Sequence, residues 1–301
     1  MARSSGKAIL LGEHAVVYGV PAIAAGLELG ATATWTPGGP GTIVLGTHAT
    51  ATVGDGTELA NAYEALLDAL GAKPGAVSVT LDLPAGVGLG ASAAIAVAVA
   101  RAVLEGAGET APPLARVVDG AMAWERVFHG NPSGVDAWAA AHGGCLVFVR
   151  GKGITPLRVA RDLPLAIGVA GPPASTRQMV EGLAKLRDRK PEMVQKSFDG
   201  IESLVKNAAL CIGAGDLPGL GKLLDLNQML LSGLFLSTED IERACGIARD
   251  AGALGAKLTG SGGGGCVVAL ADGDPAPILD AWKAAGIRGF GTSVRKTESA
   301  E

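Results

Sequence analysis

Pro84-Ala85-Gly86-Val87-Gly88-Leu89-Gly90-Ala91-Ser92 is the stretch on which the fold turns. Residues 77–83 before it alternate as a strand does, and residues 91–105 after it carry an alanine-dominated helical pattern. A glycine-rich connection from strand to helix lets the backbone approach an anion closely. The unbonded N–H groups at the helix start then face that anion with the positive end of the helix dipole. A phosphate site and a plain tight turn that needs glycine torsions both satisfy this pattern. The loop also meets the G-x-G-x-x-A form of a dinucleotide fingerprint through Gly86, Gly88 and Ala91, with Glu105 near the expected acidic position. That acidic residue should close the second strand of a βαβ unit. Here Glu105 ends a helix and Gly106 follows it, which disfavours the dinucleotide reading. No G-x-x-x-x-G-K-[ST] occurs, so the loop is not a P-loop.

Working outward, residues 7–11 and 22–36 read as strands interrupted by 12–19. Leu59, Tyr63, Leu66, Leu67 and Leu70 recur at helical spacing, with Gly71 as the stop. A helix over about 114–128 is halted by His129-Gly130-Asn131-Pro132, and strands at 145–149 and 163–169 follow. Asn131 as N-cap and Pro132 at the first helical position would open another helix there. Helical stretches at about 176–189, 191–213, 217–232 and 238–251 lead into strands at 253–259 and 265–270. Those two strands flank Gly260-Ser261-Gly262-Gly263-Gly264, and a helix (275–285) and a strand (289–295) complete the pattern. This is an α+β chain, and 301 residues are the length of two domains, with the division placed at 162/163.

Composition narrows the function. Hydrophobic residues reach 48 % against 18 % charged, enough for a substantial core and too apolar for disorder. The net charge is −4 and no segment is strongly basic, so no nucleic-acid footprint is present and no nucleic-acid partner is expected. The apolar run 91–100 is too short to cross a bilayer, so no membrane partner is expected. The N-terminal stretch has no cleavage site after a clean apolar core, and a cytoplasmic location is expected. Cysteines at 145, 211, 245 and 266 form no C-x-x-C pair, and histidines at 14, 48, 129 and 142 lack metal-ligand spacing. A structural zinc site or a disulfide framework is therefore disfavoured.

Two further glycine-bearing segments stand on either side of the first. One is Gly6-Lys7-Ala8-Ile9-Leu10-Leu11-Gly12-Glu13-His14-Ala15-Val16-Val17-Tyr18-Gly19, and the other is Lys257-Leu258-Thr259-Gly260-Ser261-Gly262-Gly263-Gly264-Gly265-Cys266. The three segments, in this order and over nearly the whole chain, resemble the superfamily of galactokinase, homoserine kinase, mevalonate kinase and phosphomevalonate kinase, the GHMP kinases. Within it, His129-Gly130-Asn131-Pro132-Ser133-Gly134-Val135-Asp136 is similar to the catalytic-aspartate region of mevalonate kinases. Ser175-Thr176-Arg177 and Asn227-Gln228 resemble family positions around substrate and nucleotide. The chain departs from the family wording at Ser5, usually proline, at Ala91, usually serine, and at Ser261, commonly alanine. All three are small residues compatible with the same loop geometry.

The resemblance implies an N-terminal domain (1–162) like ribosomal protein S5 domain 2, which binds nucleotide phosphates and carries catalysis. It implies a ferredoxin-like C-terminal domain (163–301). The implied activity is transfer of the γ-phosphoryl group of ATP to the 5-hydroxyl of (R)-mevalonate, giving 5-phosphomevalonate and ADP for isoprenoid synthesis. Asp136 is then the catalytic base, kept ionised by a helix start and by Lys7, and Lys7 neutralises charge on the γ-phosphoryl group. Ser92 and Glu125, the family glutamate eleven residues before the aspartate, would hold Mg²⁺, which takes few protein oxygens. Gly86, Gly88, Leu89, Gly90, Ala91, Ser92 and Ala93 would bind nucleotide phosphates. Glu13, His14, Thr176, Arg177, Gly262 and Gly263 would lie on the substrate side, with Arg177 suited to a carboxylate or phosphate. Family habit implies a homodimer.

Overall fold

The computed structural model describes residues 1–47, 49–84, 86–172 and 174–297, so His48 and Ala85 of the sequence reading lie outside the described residues. The chain is divided between two compact units. The first comprises Met1–Lys7, Gly26–Pro84 and Gly90–Gly143, and the second Ala8–Ala25, Ala85–Leu89 and Gly144–Glu301. Strands β1 (Ala2–Leu11) and β2 (Ala22–Pro37) are hydrogen-bonded neighbours and contribute residues to both units.

In the first unit, β3 (Thr42–Leu45) and β4 (Ala49–Thr52) form an antiparallel pair. These strands carry too few residues for an alternating pattern to register in the sequence. Helix α1 (Glu58–Leu70) starts where the Thr57 hydroxyl accepts from Ala60 N and stops at Gly71, whose φ of 64° ends the helix in the left-handed region. Strand β5 (Gly75–Leu81) lies parallel to β3 and antiparallel to residues 31–37 of β2. Its Val77 and Val79 are buried while Ala76, Ser78 and Thr80 are exposed, the half-buried alternation that sequence predicts. Helix α2 (Ala91–Gly106) is buried on nearly every side, which its alanines permit by letting neighbours approach closely. It packs against α3 (Leu114–His129) and α4 (Val135–His142), and α3 also packs along α1.

Trp35, on β2 opposite Val77 of β5, packs where two glycines leave room. Its ring occupies the space that side chains on Gly75 and Gly106 would need. Its Nε1 donates to Tyr63 Oη (3.1 Å), which donates to Gly75 O (2.9 Å). Burial pushes the Tyr63 phenol up to about 12, so it stays a neutral donor.

In the second unit, residues 22–25 of β2 pair with β6 (Cys145–Val149), and β6 pairs with β7 (Gly153–Pro156). The rest of the unit runs β8 (Leu163–Gly171), α5 (Thr176–Arg189), α6 (Pro191–Ala214), α7 (Leu217–Gly233), α8 (Glu239–Asp250), β9 (Gly255–Thr259), β10 (Gly265–Leu270), α9 (Ala276–Ala284) and β11 (Arg288–Val294). The last four strands form an antiparallel sheet in the order β11-β8-β10-β9. With helices between β8 and β9 and between β10 and β11, this is the ferredoxin-like arrangement expected of the C-terminal part. Strands β9 and β10 are buried along their whole length, and α7 and α8 both pack on β9.

One expectation needs correction. The helix carrying Asp136 does not begin at Asn131-Pro132 but at Val135, with Gly134 as its cap at φ 93°. A glycine in the left-handed region redirects the chain there, so the Asn-Pro pair belongs to the preceding loop. Asp136 is consequently the second residue of α4, nearer the helix start than the sequence suggests.

Candidate active site

Four of the sequence-derived residues meet within the first unit. Lys7, on β1, reaches Asp136, and Lys7 Nζ lies 3.1 Å from Asp136 Oδ1. The lysine side chain is only 4 % exposed, whereas the aspartate is 38 % exposed, so the carboxylate remains open to an incoming group. Gly90 sits against the lysine stem. A Cβ there would fall 2.8 Å from Lys7 Cγ, and φ at Gly90 is 73°, so glycine is required both by space and by torsion. The glycine loop thus shapes the position of Lys7 as well as opening α2. No side chain caps the start of α2, whose cap residue is Gly90, and its first-turn N–H groups remain available to an anion.

Ser92 and Glu125 form the second half of this group. Ser92 Oγ donates to Glu125 Oε1 and accepts from Trp124 Nε1 at 3.2 Å. His129 Nε2 lies 3.7 Å from Glu125 Oε2, one helical turn along α3. Burial is the chief force pushing the Glu125 carboxyl above the usual carboxylate range. The Ser92 hydrogen bond opposes it, the negative charge of Asp136 adds to it, and His129 and Lys7 pull it down. Sequence alone singled out Glu125 but not Trp124 or His129. The i,i+4 spacing of Glu125 and His129 was the available signal for one of them. Arg101 on α2 braces the surroundings by donating to Arg3 O on β1 (2.5 Å) and to Ala141 O on α4.

A second group gathers Glu13 and His14 with the C-terminal motif, inside the second unit. Glu13 is fully buried, and Lys257 Nζ donates to its Oε1 while Asn227 Nδ2 donates to its Oε2 at 3.3 Å. His14 Nε2 is 2.7 Å from Ser261 O, and burial holds the ring below its ordinary pKa despite that hydrogen bond. Thr259 fastens β1 here: its hydroxyl accepts from Ile9 N (2.9 Å) and donates to Ile9 O (3.1 Å). The two glycine motifs also approach each other, since a Cβ on Gly260 would lie 3.3 Å from Gly88 O. Gly262 and Gly263 fold back on the chain, with Gly263 N donating to Leu236 O at 2.8 Å. Thr176 and Arg177 stand exposed on the first turn of α5, outside this hydrogen-bonded network. Lys257 belongs to a segment the sequence reading quoted but to which it gave no role.

Residues 58–144 match the family model described as the GHMP kinases N terminal domain, and residues 202–288 match that of GHMP kinases C terminal. A mevalonate kinase of Pyrococcus horikoshii is 35 % identical, covering 95 % of this chain and 92 % of the relative. One of Aeropyrum pernix is 34 % identical over 89 % of this chain and 87 % of the relative. Among solved structures, L. major mevalonate kinase in complex with R-mevalonate superposes with a TM-score of 0.88 at 30 % identity, covering 99 % of this chain and 96 % of that one. A side chain pairing at Lys7 and Asp136, a glycine loop that opens a helix, and full-length likeness to these enzymes agree with one another. The chain belongs to the GHMP kinase family, in its mevalonate kinase branch.

Proposed function

We propose that the chain phosphorylates the 5-hydroxyl of (R)-mevalonate with ATP, giving 5-phosphomevalonate and ADP, a step of isoprenoid synthesis in the cytoplasm. The observation that carries this reading is the Lys7–Asp136 pair, a shielded cation holding a half-open carboxylate at a helix start. Asp136 takes the proton of the substrate hydroxyl as its oxygen attacks the γ-phosphorus and the bond from that phosphorus to the ADP oxygen breaks. Lys7 pairs with Asp136 and offsets the charge on the moving phosphoryl group. The glycines at 86, 88 and 90, with Leu89, Ala91, Ser92 and Ala93, bring backbone N–H groups to the nucleotide phosphates.

Magnesium fits the remaining pair. Ser92 Oγ and the Glu125 carboxylate are adjacent hard oxygen donors, the donor type that magnesium prefers. Bound there, the ion would neutralise phosphate charge. His14 and Glu13, directly or through water, Arg177 and Thr176 with the Gly262-Gly263 turn form the substrate side. The same reading divides the chain into 1–162 and 163–301, and its working form is a homodimer.

The test is a coupled ADP-release assay with mevalonate, ATP and magnesium. Magnesium-dependent turnover is expected. Turnover with homoserine, galactose or phosphomevalonate but none with mevalonate would sink the assignment.

A further inference from the structure

Glu13 and Lys257 are both completely buried, and 244 residues separate them in the chain. An ion pair withdrawn from water returns about what its desolvation costs, so stability alone does not account for its presence. Its surroundings do. Lys257 Nζ also donates to Leu258 O, and Leu258 N donates to Gln228 Oε1 at 2.9 Å. Gln228 Nε2 in turn donates to Ser237 Oγ (3.0 Å) and Glu242 Oε1 (2.9 Å). The neighbouring Asn227 grips the other oxygen of Glu13. The consecutive pairs Asn227-Gln228 on α7 and Lys257-Leu258 on β9 are therefore interlocked, and Glu13 is their common target.

The residue after Glu13 is strained. His14 has φ 61°, a region that is unfavourable for a non-glycine residue and survives only where the surroundings over-determine it. The bend is held by Ala15 N donating to Glu13 O (2.6 Å), Val16 N to Gly12 O (3.1 Å) and Val17 N to His14 O (3.0 Å). With Nε2–H donating to Ser261 O, the neutral ring presents Nδ1 as an acceptor. His14 Nδ1 and Asn227 Oδ1 are both buried and have no hydrogen-bond partner among the described residues. The unmatched His14 acceptor, next in the chain to a clamped carboxylate, suits the O–H donor of an alcohol.

We propose that Lys257, assisted by Asn227, is a positioning residue for the phosphoryl transfer, clamping Glu13 so that the strained His14 presents Nδ1 to the alcohol substrate. This rests on the kinase reading above, in which His14 lies on the substrate side. Lys257 touches neither reactant and acts through Glu13 and His14. Its loss must therefore weaken recognition of the alcohol and leave recognition of ATP alone.

The experiment is steady-state kinetics on Lys257→Met and Asn227→Ala, with each variant checked for folding by circular dichroism at the assay temperature. In Lys257→Met the KM for mevalonate rises about tenfold or more while the KM for ATP stays within about twofold. Asn227→Ala moves the same constant the same way by about threefold. A folded Lys257→Met with both constants unchanged, or with both raised together, overturns the proposal. If Lys257→Met does not fold, Asn227→Ala decides by the same criterion. The wild-type control separates the two claims. If it phosphorylates another alcohol and not mevalonate, the substrate reading fails, and the positioning role is measured with the alcohol it does accept.

Discussion

Two of the lysine–carboxylate pairs among the described residues, Lys7–Asp136 and Lys257–Glu13, look alike on paper and differ in exposure. In Lys7–Asp136 the carboxylate is 38 % exposed, and in Lys257–Glu13 neither partner exposes any side-chain surface. A base must reach its substrate and exchange a proton, which requires an open face. Glu13, by contrast, is buried with both carboxylate oxygens engaged by Lys257 and Asn227, as the proposed clamp requires. Exposure, more than the identity of the two residues, separates chemistry from architecture here.

Breaking the open pair has the largest expected consequence. Asp136→Ala lowers kcat by about a hundred- to ten-thousandfold, the range for loss of a general base, while the melting temperature stays close to wild type. Breaking the closed pair reverses the balance. Lys257→Met removes the buried cation that pairs with Glu13 and costs about 3–5 kcal/mol of stability, read as a lowered denaturation midpoint. Gly90→Ala probes the open pair from behind, because the added methyl contacts the Lys7 stem and the torsion is left-handed. It is expected to cost about 1–2 kcal/mol of stability and to lower kcat more than it changes KM for mevalonate.

The smallest effect concerns pH. Burial lowers the His14 pKa from its ordinary 6.5, so the fold prefers the neutral ring. The stability this contributes is present above about 6.5 and is lost as pH falls through the lowered folded value. The wild-type melting temperature should therefore drop between about pH 7.5 and pH 5 more than that of His14→Gln, which keeps an N–H donor for Ser261 O. Equal drops in the two proteins would show that the His14 ring does not govern this range.

Much of this was legible in the sequence because it is local. The stop at Gly71 and the spacing of Leu59, Tyr63, Leu66, Leu67 and Leu70 marked α1, and the structure adds its cap, Thr57. The alternation of β5 and the glycine loop before α2 were equally plain. Lys7, Ser92, Glu125 and Asp136 were named from motif wording, and they meet in the fold. What the sequence hid is what only folding brings together. Nothing local to Lys257 announces a carboxylate 244 residues away, and the β3–β4 pair is too short to show a period. The start of α4 was misread for a different reason: the Asn-Pro pair is a sound local signal, overridden by the torsion of Gly134 two residues later.

The Thr259 hydroxyl satisfies both polar groups of Ile9, donating to one and accepting from the other. A single side chain there does what a neighbouring strand ordinarily does. The Ile9 amide can trade its hydrogen with heavy water only after Thr259 lets go, so its exchange rate becomes a clock for the opening of the contact between β1 and the end of β9. One peptide near the beginning of the chain thereby reports, by mass or by resonance, on a joint made with its far end.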